Sequence, residues 1–239
     1  MRIRYLGHSA FLITTGKYQL LFDPFITPNE LTKGKIVLGD LKPDFIFLSH
    51  AHFDHIADAE EISKAAGAPI VGVWEIHSYF SERGCQTYPM NVGGVWRPSS
   101  DSKLWVKLVP AIHTSSFPNG QYGGVPVGFI ISDGAHTLYY AGDTALSLEM
   151  ELISERYTLS AAFLPIGGTF TMDVEDAVEA ALLLDVEHVI GMHYDTFEPI
   201  KIDHEKAKQE FRENDCTLHL LSIGEEIAIN QFSGVGTSQ

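Results

Sequence analysis

A short segment near residue 50 joins a buried-strand pattern to a dense group of metal-binding side chains. Four consecutive apolar residues, 45–48 (FIFL), are typical of a buried strand, and they run directly into residues 49–55 (SHAHFDH). Three imidazoles and one carboxylate are therefore expected in a loop at the C-terminal end of a strand, where open α/β sheets bind ligands. The alternative, a polar loop in solvent that happens to be rich in histidine, accounts poorly for so dense a pattern.

The donor types in this segment indicate which cations it suits. His50, His52 and His55 offer imidazole nitrogens, and Asp54 offers carboxylate oxygens. Such a mixture suits zinc, iron, manganese or nickel, and it lacks the thiolates of a closed structural zinc site. The segment therefore predicts a metal site with imidazole and carboxylate ligands, and it does not have the pattern of a structural zinc site.

The same segment resembles the signature motif of the metallo-β-lactamase superfamily. Members of that superfamily carry three further ligands downstream, each after a strand, and this sequence has a candidate at every step. His113 follows the stretch 106–112, Asp143 follows 137–142, and His193 follows 188–192. The resemblance rests on seven residues in the expected order and covers most of the chain.

The resemblance implies that the seven side chains bind two divalent metal ions. The ligands expected for one ion are three histidines: His50, His52 and His113. The ligands expected for the other are a carboxylate and two histidines: Asp54, His55 and His193. Asp143 would bridge the two ions, and Zn²⁺ is the first choice for both, with Mn²⁺ or Fe²⁺ next because carboxylates suit them too.

The expected pair of ions defines the expected reaction. Two dications that share a solvent molecule lower its pKa from about 15.7 toward 7, so hydroxide becomes available at neutral pH. The resemblance therefore implies a hydrolase that uses a metal-bridged hydroxide to cleave a small ester, lactone or phosphoester. Asp54 would also act catalytically, by accepting a hydrogen bond from the hydroxide and orienting it. The expected partner is a small-molecule substrate.

Three other segments resemble a branch of the superfamily that contains uncharacterised metal-dependent hydrolases and ascorbate-6-phosphate lactonase: 5–11 (YLGHSAF), 167–171 (GGTFT) and 194–197 (YDTF). In that branch the first histidine lies near the metal centre, so His8 is a candidate for substrate contact or for supporting a ligand. A histidine in an ordinary turn is the alternative. Thr169 or Thr171 is expected to face the substrate from a pocket wall. Asp23 is expected to fix the tautomer of a ligand histidine, as an aspartate at this place often does in the superfamily.

The order of predicted elements indicates an α/β protein. Apolar strands alternate with helices predicted over residues 56–66, 75–83, 173–184 and 203–212, and residues 91–103 are rich in turn formers. The resemblance narrows this class to a four-layer αββα sandwich, in which two sheets pack face to face between outer helices. No linker divides the sequence, so residues 1–239 are predicted to form a single metallo-hydrolase domain with a flexible tail over 233–239.

The composition disfavours nucleic acid and membrane partners. The formal net charge is −15, and the 16 lysines and arginines form no basic run, whereas affinity for long nucleic acids comes largely from such residues. No apolar run approaches the roughly 20 residues that span a bilayer, and the N-terminus lacks a signal-peptide pattern. These features predict a cytoplasmic protein in which Cys85 and Cys216 are buried thiols.

Three other functions fit a metal site of this fold. Diiron oxygen reductases share the fold, but their motif typically has Glu where this sequence has His52, which favours hydrolysis. A phosphodiesterase or nuclease of the same fold is the alternative among hydrolases, although the acidic surface disfavours a nuclease. A metal-binding protein without turnover is the third, and seven intact ligands weigh against it. Members of the similar branch often assemble, so a homo-oligomer is also expected.

Overall fold

Within the part of the chain that the structure describes, fourteen strands form the frame of the protein. The structure, a computed structural model, describes residues 1–234. The strands are β1 (Arg2–Gly7), β2 (Ala10–Thr15), β3 (Tyr18–Phe22), β4 (Phe45–Phe47), β5 (Ile70–Val73), β6 (Thr87–Met90), β7 (Val95–Trp96), β8 (Trp105–Pro110), β9 (Val127–Ser132), β10 (Thr137–Tyr140), β11 (Ala161–Pro165), β12 (His188–Met192), β13 (Thr217–His219) and β14 (Glu226–Ala228). They make two mixed sheets, with strand orders β14-β1-β2-β3-β4-β5-β6 and β13-β12-β11-β10-β9-β8-β7.

The two sheets repeat one plan. In the first sheet, β14 and β1 to β3 pair antiparallel, and β3 to β6 run parallel. In the second sheet, β7 to β10 pair antiparallel, and β10 to β13 run parallel. Parallel strands need crossover connections, which are usually helical, and this explains why each half of the sequence begins with hairpins and continues with alternating helices and strands.

Six α-helices supply the crossovers and cover the sheets: α1 (Phe53–Ile56), α2 (Ala59–Ala66), α3 (Trp74–Ser81), α4 (Glu149–Ser154), α5 (Val174–Leu183) and α6 (His204–Glu213). α3 packs on β5 and β6, α5 on β11, and α6 on β13. The predicted αββα sandwich is therefore confirmed. Within residues 1–234, the longest α-helices have ten residues, and no helix is long and apolar enough to cross a bilayer.

Aromatic side chains fill the space between the sheets. Phe22 and Phe47 of the first sheet meet Phe129 of the second, with ring centroids 5.5 and 5.7 Å apart. Phe11 meets Phe163 at 4.8 Å, edge to face. These rings are buried, and edge-to-face pairs add about 0.5–1.5 kcal/mol beyond the burial of their area. The sandwich therefore has a rigid core beneath the edge where the predicted ligands lie.

Several boundaries follow from local capping. The carboxylate of Asp173 accepts a hydrogen bond from the amide of Asp176 and caps α5, as predicted. Gly67 ends α2 with a φ of +68°, a conformation that costs glycine little.

Cys85 and Cys216 are both buried free thiols, as predicted.

Other predicted boundaries are wrong. The helix predicted over 56–66 is interrupted, because the Asp58 carboxylate accepts the backbone amides of Ile26 and Thr27 at 2.6 and 3.0 Å and fixes the chain between α1 and α2. α1 therefore carries part of the metal-binding segment on a helical turn. Strand β7 lies inside the stretch predicted as turns, and β6 and α4 were not predicted.

A 3₁₀ segment, Ile229–Gly234, follows β14 and includes the first two residues of the tail predicted over 233–239. Residues 235–239 lie outside the described part of the chain, so the flexible tail stays a prediction.

Candidate metal centre

Strand ends of both sheets converge on one edge of the sandwich. Residues 50–55 follow β4, His113 follows β8, Asp143 follows β10, and His193 follows β12 directly. A hydrogen bond of 3.1 Å from the His193 amide to the His8 carbonyl joins the second sheet to the end of β1 in the first. The structure therefore brings all seven predicted ligands into one cluster.

The first predicted ligand set forms a tight group. His50, His52 and His113 each offer a nitrogen within 4.8 Å of the others, and His50 Nε2 lies 3.0 Å from His52 Nδ1. His52 Nε2 lies 3.4 Å from the Thr114 hydroxyl, which can accept its proton and leave Nδ1 unprotonated. Three imidazole nitrogens this close to one another are a donor set that suits zinc.

The second predicted ligand set has an additional member. Asp54, His55 and His193 are joined by His8, again with donor atoms within 4.8 Å of one another. Asp54 Oδ2 lies 3.7 Å from His193 Nε2 and 3.9 Å from His55 Nε2. Its shortest contact in this group, 3.1 Å, is with His8 Nε2.

Asp143 lies between the two sets. Its Oδ2 atom is within 4.0 Å of Nε2 of four histidines, at 3.0 Å from His193, 3.3 Å from His55, 3.6 Å from His113 and 3.9 Å from His50. Gly142 lets the chain reach this position, because a Cβ there would lie 2.8 Å from the Val127 carbonyl and its φ is +63°. A single carboxylate thus contacts histidines of both sets.

A second carboxylate fixes the histidines from behind. Asp23 Oδ2 lies 2.9 Å from His55 Nδ1 and accepts the hydroxyl protons of Ser49 and Tyr140 at 2.6 and 2.7 Å, while Oδ1 accepts the Ser49 amide at 2.8 Å. The Ser49 hydroxyl in turn lies 3.0 Å from His50 Nδ1. Both Nδ1 atoms therefore carry protons, and both Nε2 atoms are free to bind metal. The expected hydrogen bond is present, with Asp23 as the acceptor and the ligand histidine His55 as the donor.

His8 is buried and contacts Asp54. Burial and the neighbouring charge of His193 lower the pKa of His8 to about 4, so the ring is neutral at pH 7. A neutral imidazole beside a carboxylate donates its proton, so Nε2 donates to Asp54 and Nδ1 accepts from the Thr196 hydroxyl at 3.0 Å. This geometry gives His8 the part of orienting Asp54; substrate contact by His8 stays a prediction.

An open cavity of about 730 Å³ lies over the cluster. Its lining includes Asp54 and Asp143, together with Thr169 and Phe170 from the loop after β11. The Thr169 hydroxyl donates to the Pro199 carbonyl at 2.8 Å, and the Thr171 hydroxyl lies 3.2 Å from the Met172 carbonyl. Thr169 therefore reaches the pocket wall as predicted, but its hydroxyl offers a substrate only an acceptor oxygen.

The charges of the cluster favour cations. Burial opposes the charged form of His55, yet Asp143, Asp23 and Asp54 raise its pKa well above the usual range. His193 behaves likewise: burial lowers its pKa, and Asp143 and Asp54 raise it to about 9. Protons on these two rings balance the carboxylates when no metal is bound, and a divalent cation would replace them.

Unpaired buried atoms support the same fit. Among the described residues, His55 Nε2, Asp143 Oδ1 and His193 Nδ1 are buried without a hydrogen-bond partner. Leaving such a group unpaired costs about 1–3 kcal/mol, and native proteins contain few of them. Metal ions held by the seven predicted ligands would satisfy His55 Nε2 and Asp143 Oδ1.

Backbone strain is concentrated at this edge. Seven non-glycine residues within 1–234 have positive φ, and four of them belong to the cluster or its wall: His8, Asp23, Thr169 and His193. Such conformations cost about 1–3 kcal/mol each and accumulate at functional sites.

The remaining histidines lie outside the described donor groups. Some have other partners: His77 contacts Thr87, His204 contacts Asp195, and His188 contacts His219. These contacts give them structural or surface positions away from the cluster.

Sequence reasoning missed several residues that support the centre. Tyr140 and Thr196 had no assigned role, because their partners Asp23 and His8 are 117 and 188 positions away. Ser49 stood inside the predicted segment, and its place directly before His50 was the only available signal.

Comparison with known proteins places the chain among related sequences. The sequence model of the beta-lactamase superfamily domain matches residues 18–194. A UPF0173 metal-dependent hydrolase from Christiangramia forsetii is 48% identical over 229 residues, which are 96% of this chain and all of that protein. Another from Methylacidiphilum infernorum is 46% identical, also over 96% of this chain and all of its own length.

A solved structure agrees with these sequence matches. Igni18, described as a novel metallo hydrolase from Ignicoccus hospitalis KIN4/I, superimposes with a TM-score of 0.86. The two are 37% identical, and the match covers 95% of this chain and 97% of Igni18.

Proposed function

Since this chain belongs to the metallo-β-lactamase superfamily and, within it, to the UPF0173 metal-dependent hydrolases, we propose that it is a hydrolase with two divalent metal ions, Zn²⁺ first, that cleaves a small ester, lactone or phosphoester. One observation carries the binuclear part of the proposal. Asp143 Oδ2 lies within 4.0 Å of His50 and His113 from one ligand set and of His55 and His193 from the other. A carboxylate in that position suits two cations held side by side.

The proposed ligands keep the division expected from the sequence. One ion would bind the three histidines of the first set: His50, His52 and His113. The other would bind Asp54, His55 and His193, with His8 near enough to join or to support them. Imidazole and carboxylate donors without thiolate favour zinc, with manganese or iron next. When bound, the pair of ions supplies a shared water whose pKa is lowered from about 15.7 toward 7.

The protein groups have separate tasks in this proposal. Asp54 lines the cavity, and His8 holds its carboxylate from the buried side at 3.1 Å, so Asp54 can accept a hydrogen bond from the attacking water or hydroxide and orient it in a fixed direction. Asp23 keeps protons on Nδ1 of His55 and, through Ser49, of His50. The site thus needs neither a serine nor a cysteine nucleophile.

Replacement of one ligand tests the proposal. We expect His52→Ala to lose one metal equivalent and to lower hydrolysis by more than the roughly 10–100-fold typical for loss of an outer partner. The ring of His52 lines the open cavity, so the fold should persist, as circular dichroism can check. His77→Ala, a helix histidine outside the cluster, is the matched control. Wild-type turnover by His52→Ala with its metal content verified would refute the assignment.

A further inference from the structure

The cavity over the metal centre has an uneven lining. Its acidic groups are two carboxylates, Asp54 and Asp143, and none of the chain's 16 lysines and arginines is among its lining residues. The apolar part consists of Ile112 and Phe170, which are 55% and 54% exposed. Large apolar side chains beside a catalytic cluster and open to solvent suit a ligand that covers them.

Thr144, the neighbour of Asp143, holds the backbone at or near both apolar residues. The Thr144 hydroxyl accepts the Ile112 amide at 3.0 Å, and the Ile112 carbonyl accepts the Ala145 amide at 3.0 Å. On the other side, the Thr144 carbonyl accepts the Met172 amide at 3.1 Å and so closes the loop that carries Phe170. The apolar wall, defined as Ile112 and Phe170, is thus positioned by the strand end that supplies the proposed bridging carboxylate.

We propose that the apolar wall binds the hydrocarbon part of an uncharged carboxylic ester or lactone, which deepens the proposed function and rests on it. A phosphomonoester carries nearly two negative charges, and proteins recognise such groups with arginine, lysine or clustered amide donors. Here the lining beyond the proposed metal ligands consists of the apolar wall and two threonines, Thr114 and Thr169, so it offers no arginine or lysine to a phosphate. An uncharged acyl group needs no such cation and gains by covering the wall.

The reaction balances with water alone. The bond between the acyl carbon and the leaving oxygen breaks, and a bond from that carbon to the water oxygen forms. One proton of the water passes to the leaving oxygen to give an alcohol, and the other is released from the carboxylic acid product. A lactone gives both groups on one molecule, a hydroxy acid.

Binding of alkyl hydroxamates to zinc-loaded protein tests the wall without turnover. Complete burial of one methylene group increases affinity about fourfold. A methylene that is covered on one side only, as on this open wall, should increase affinity about twofold. From acetohydroxamate to hexanohydroxamate, calorimetry should therefore show a gain of about 16-fold in wild-type protein. Phe170→Ala should reduce that gain to about fourfold or less, while Tyr88→Ala, an exposed aromatic on β6, should keep it.

A turnover comparison completes the experiment. We expect kcat/KM for p-nitrophenyl butyrate to exceed that for p-nitrophenyl phosphate at least 100-fold, and Phe170→Ala to lower the first value more than the second. If hydroxamate affinity does not depend on chain length, or if inorganic phosphate binds more tightly than hexanohydroxamate, the inference about the apolar wall is overturned. The proposed function would still stand in that case, provided that the protein binds two zinc ions. Protein that takes up no zinc would instead overturn the proposed function, and the inference with it.

Discussion

Asp23 offers the sharpest perturbation of the proposed centre, because one buried carboxylate serves both ligand sets. Its Oδ2 atom has three partners: His55 Nδ1 and the hydroxyls of Ser49 and Tyr140. In Asp23→Asn, an amide nitrogen replaces one oxygen and cannot accept. If it takes the place of Oδ2, three donors lose their acceptor; if it takes the place of Oδ1, the Ser49 amide does. Neither orientation of asparagine restores the network.

The size of the effect follows from these contacts. Hydrogen bonds to charged groups contribute about 1.5–3 kcal/mol each, so the loss destabilises the protonated Nδ1 form of His55 directly and that of His50 through Ser49. Loss of an outer partner typically lowers metal affinity about 10–100-fold, or ~1.4–2.8 kcal/mol per ion. We expect both zinc affinities to fall by this factor in Asp23→Asn.

Competition with a chromophoric chelator measures the two affinities separately. Asp133→Asn is the control, since Asp133 also accepts amide hydrogen bonds, from Ala135 and His136, but in a hairpin turn. Ser49→Ala removes the link between Asp23 and His50 and leaves the contact of Asp23 with His55 in place, so it should weaken mainly one ion and can be read even if Asp23→Asn folds poorly. Wild-type affinity for both ions in folded Asp23→Asn, or equal losses at both sites in Ser49→Ala, would refute the reasoning.

Two further predictions address the bridge and a distant histidine pair. Asp143→Asn should lower the occupancy of both metal ions, because Asp143 contacts both ligand sets; metal analysis that finds only one equivalent lost would contradict the bridge. Burial and the charge of His188 lower the pKa of His219 to about 4. As the pH falls, this histidine therefore takes up its proton near pH 6.5 in the unfolded chain and only near pH 4 in the folded protein. The difference lowers the free energy of unfolding between about pH 6.5 and pH 4. Between pH 7 and 5, the free energy of unfolding of metal-free His219→Phe should fall by about 1 kcal/mol less than that of the metal-free wild type, a value reduced for solvent screening at the partly exposed ring. Urea denaturation measures both, and equal decreases would exclude this role for His219.

The sequence predicted the strand ends well, because strands buried on both faces consist of short continuous apolar runs. β12 has the predicted bounds, and the runs before His113 and Asp143 are strands within one or two residues. β6 escaped prediction because it is an edge strand that includes Tyr88 and Pro89, and such strands lack a buried apolar pattern.

The support of the centre was harder to predict than its ligands. The seven ligands form a pattern of residue types at strand ends, and Asp23 was expected from the resemblance, whereas Tyr140 and Ser49 act through tertiary contacts with Asp23. The break at Asp58 is of the same kind, since its cause is a hydrogen bond to residues more than 30 positions away. Tertiary contacts of this length leave no local signal, and they override the helical propensity of 56–66.

Strain and cavity shape bear on different parts of the function. His8, Asp23 and His193 hold positive φ at about 1–3 kcal/mol each, and buried donor atoms stand unpaired beside them. Bound cations would offset these costs whether or not any substrate is turned over, so the strain favours a metal site but does not separate a hydrolase from a metal-binding protein. The open cavity does separate them, since a site that only stores metal has no need of access for a ligand or of the exposed apolar side chains of Ile112 and Phe170 at its mouth. Turnover is therefore favoured by the wall, and metal binding by the strain behind it.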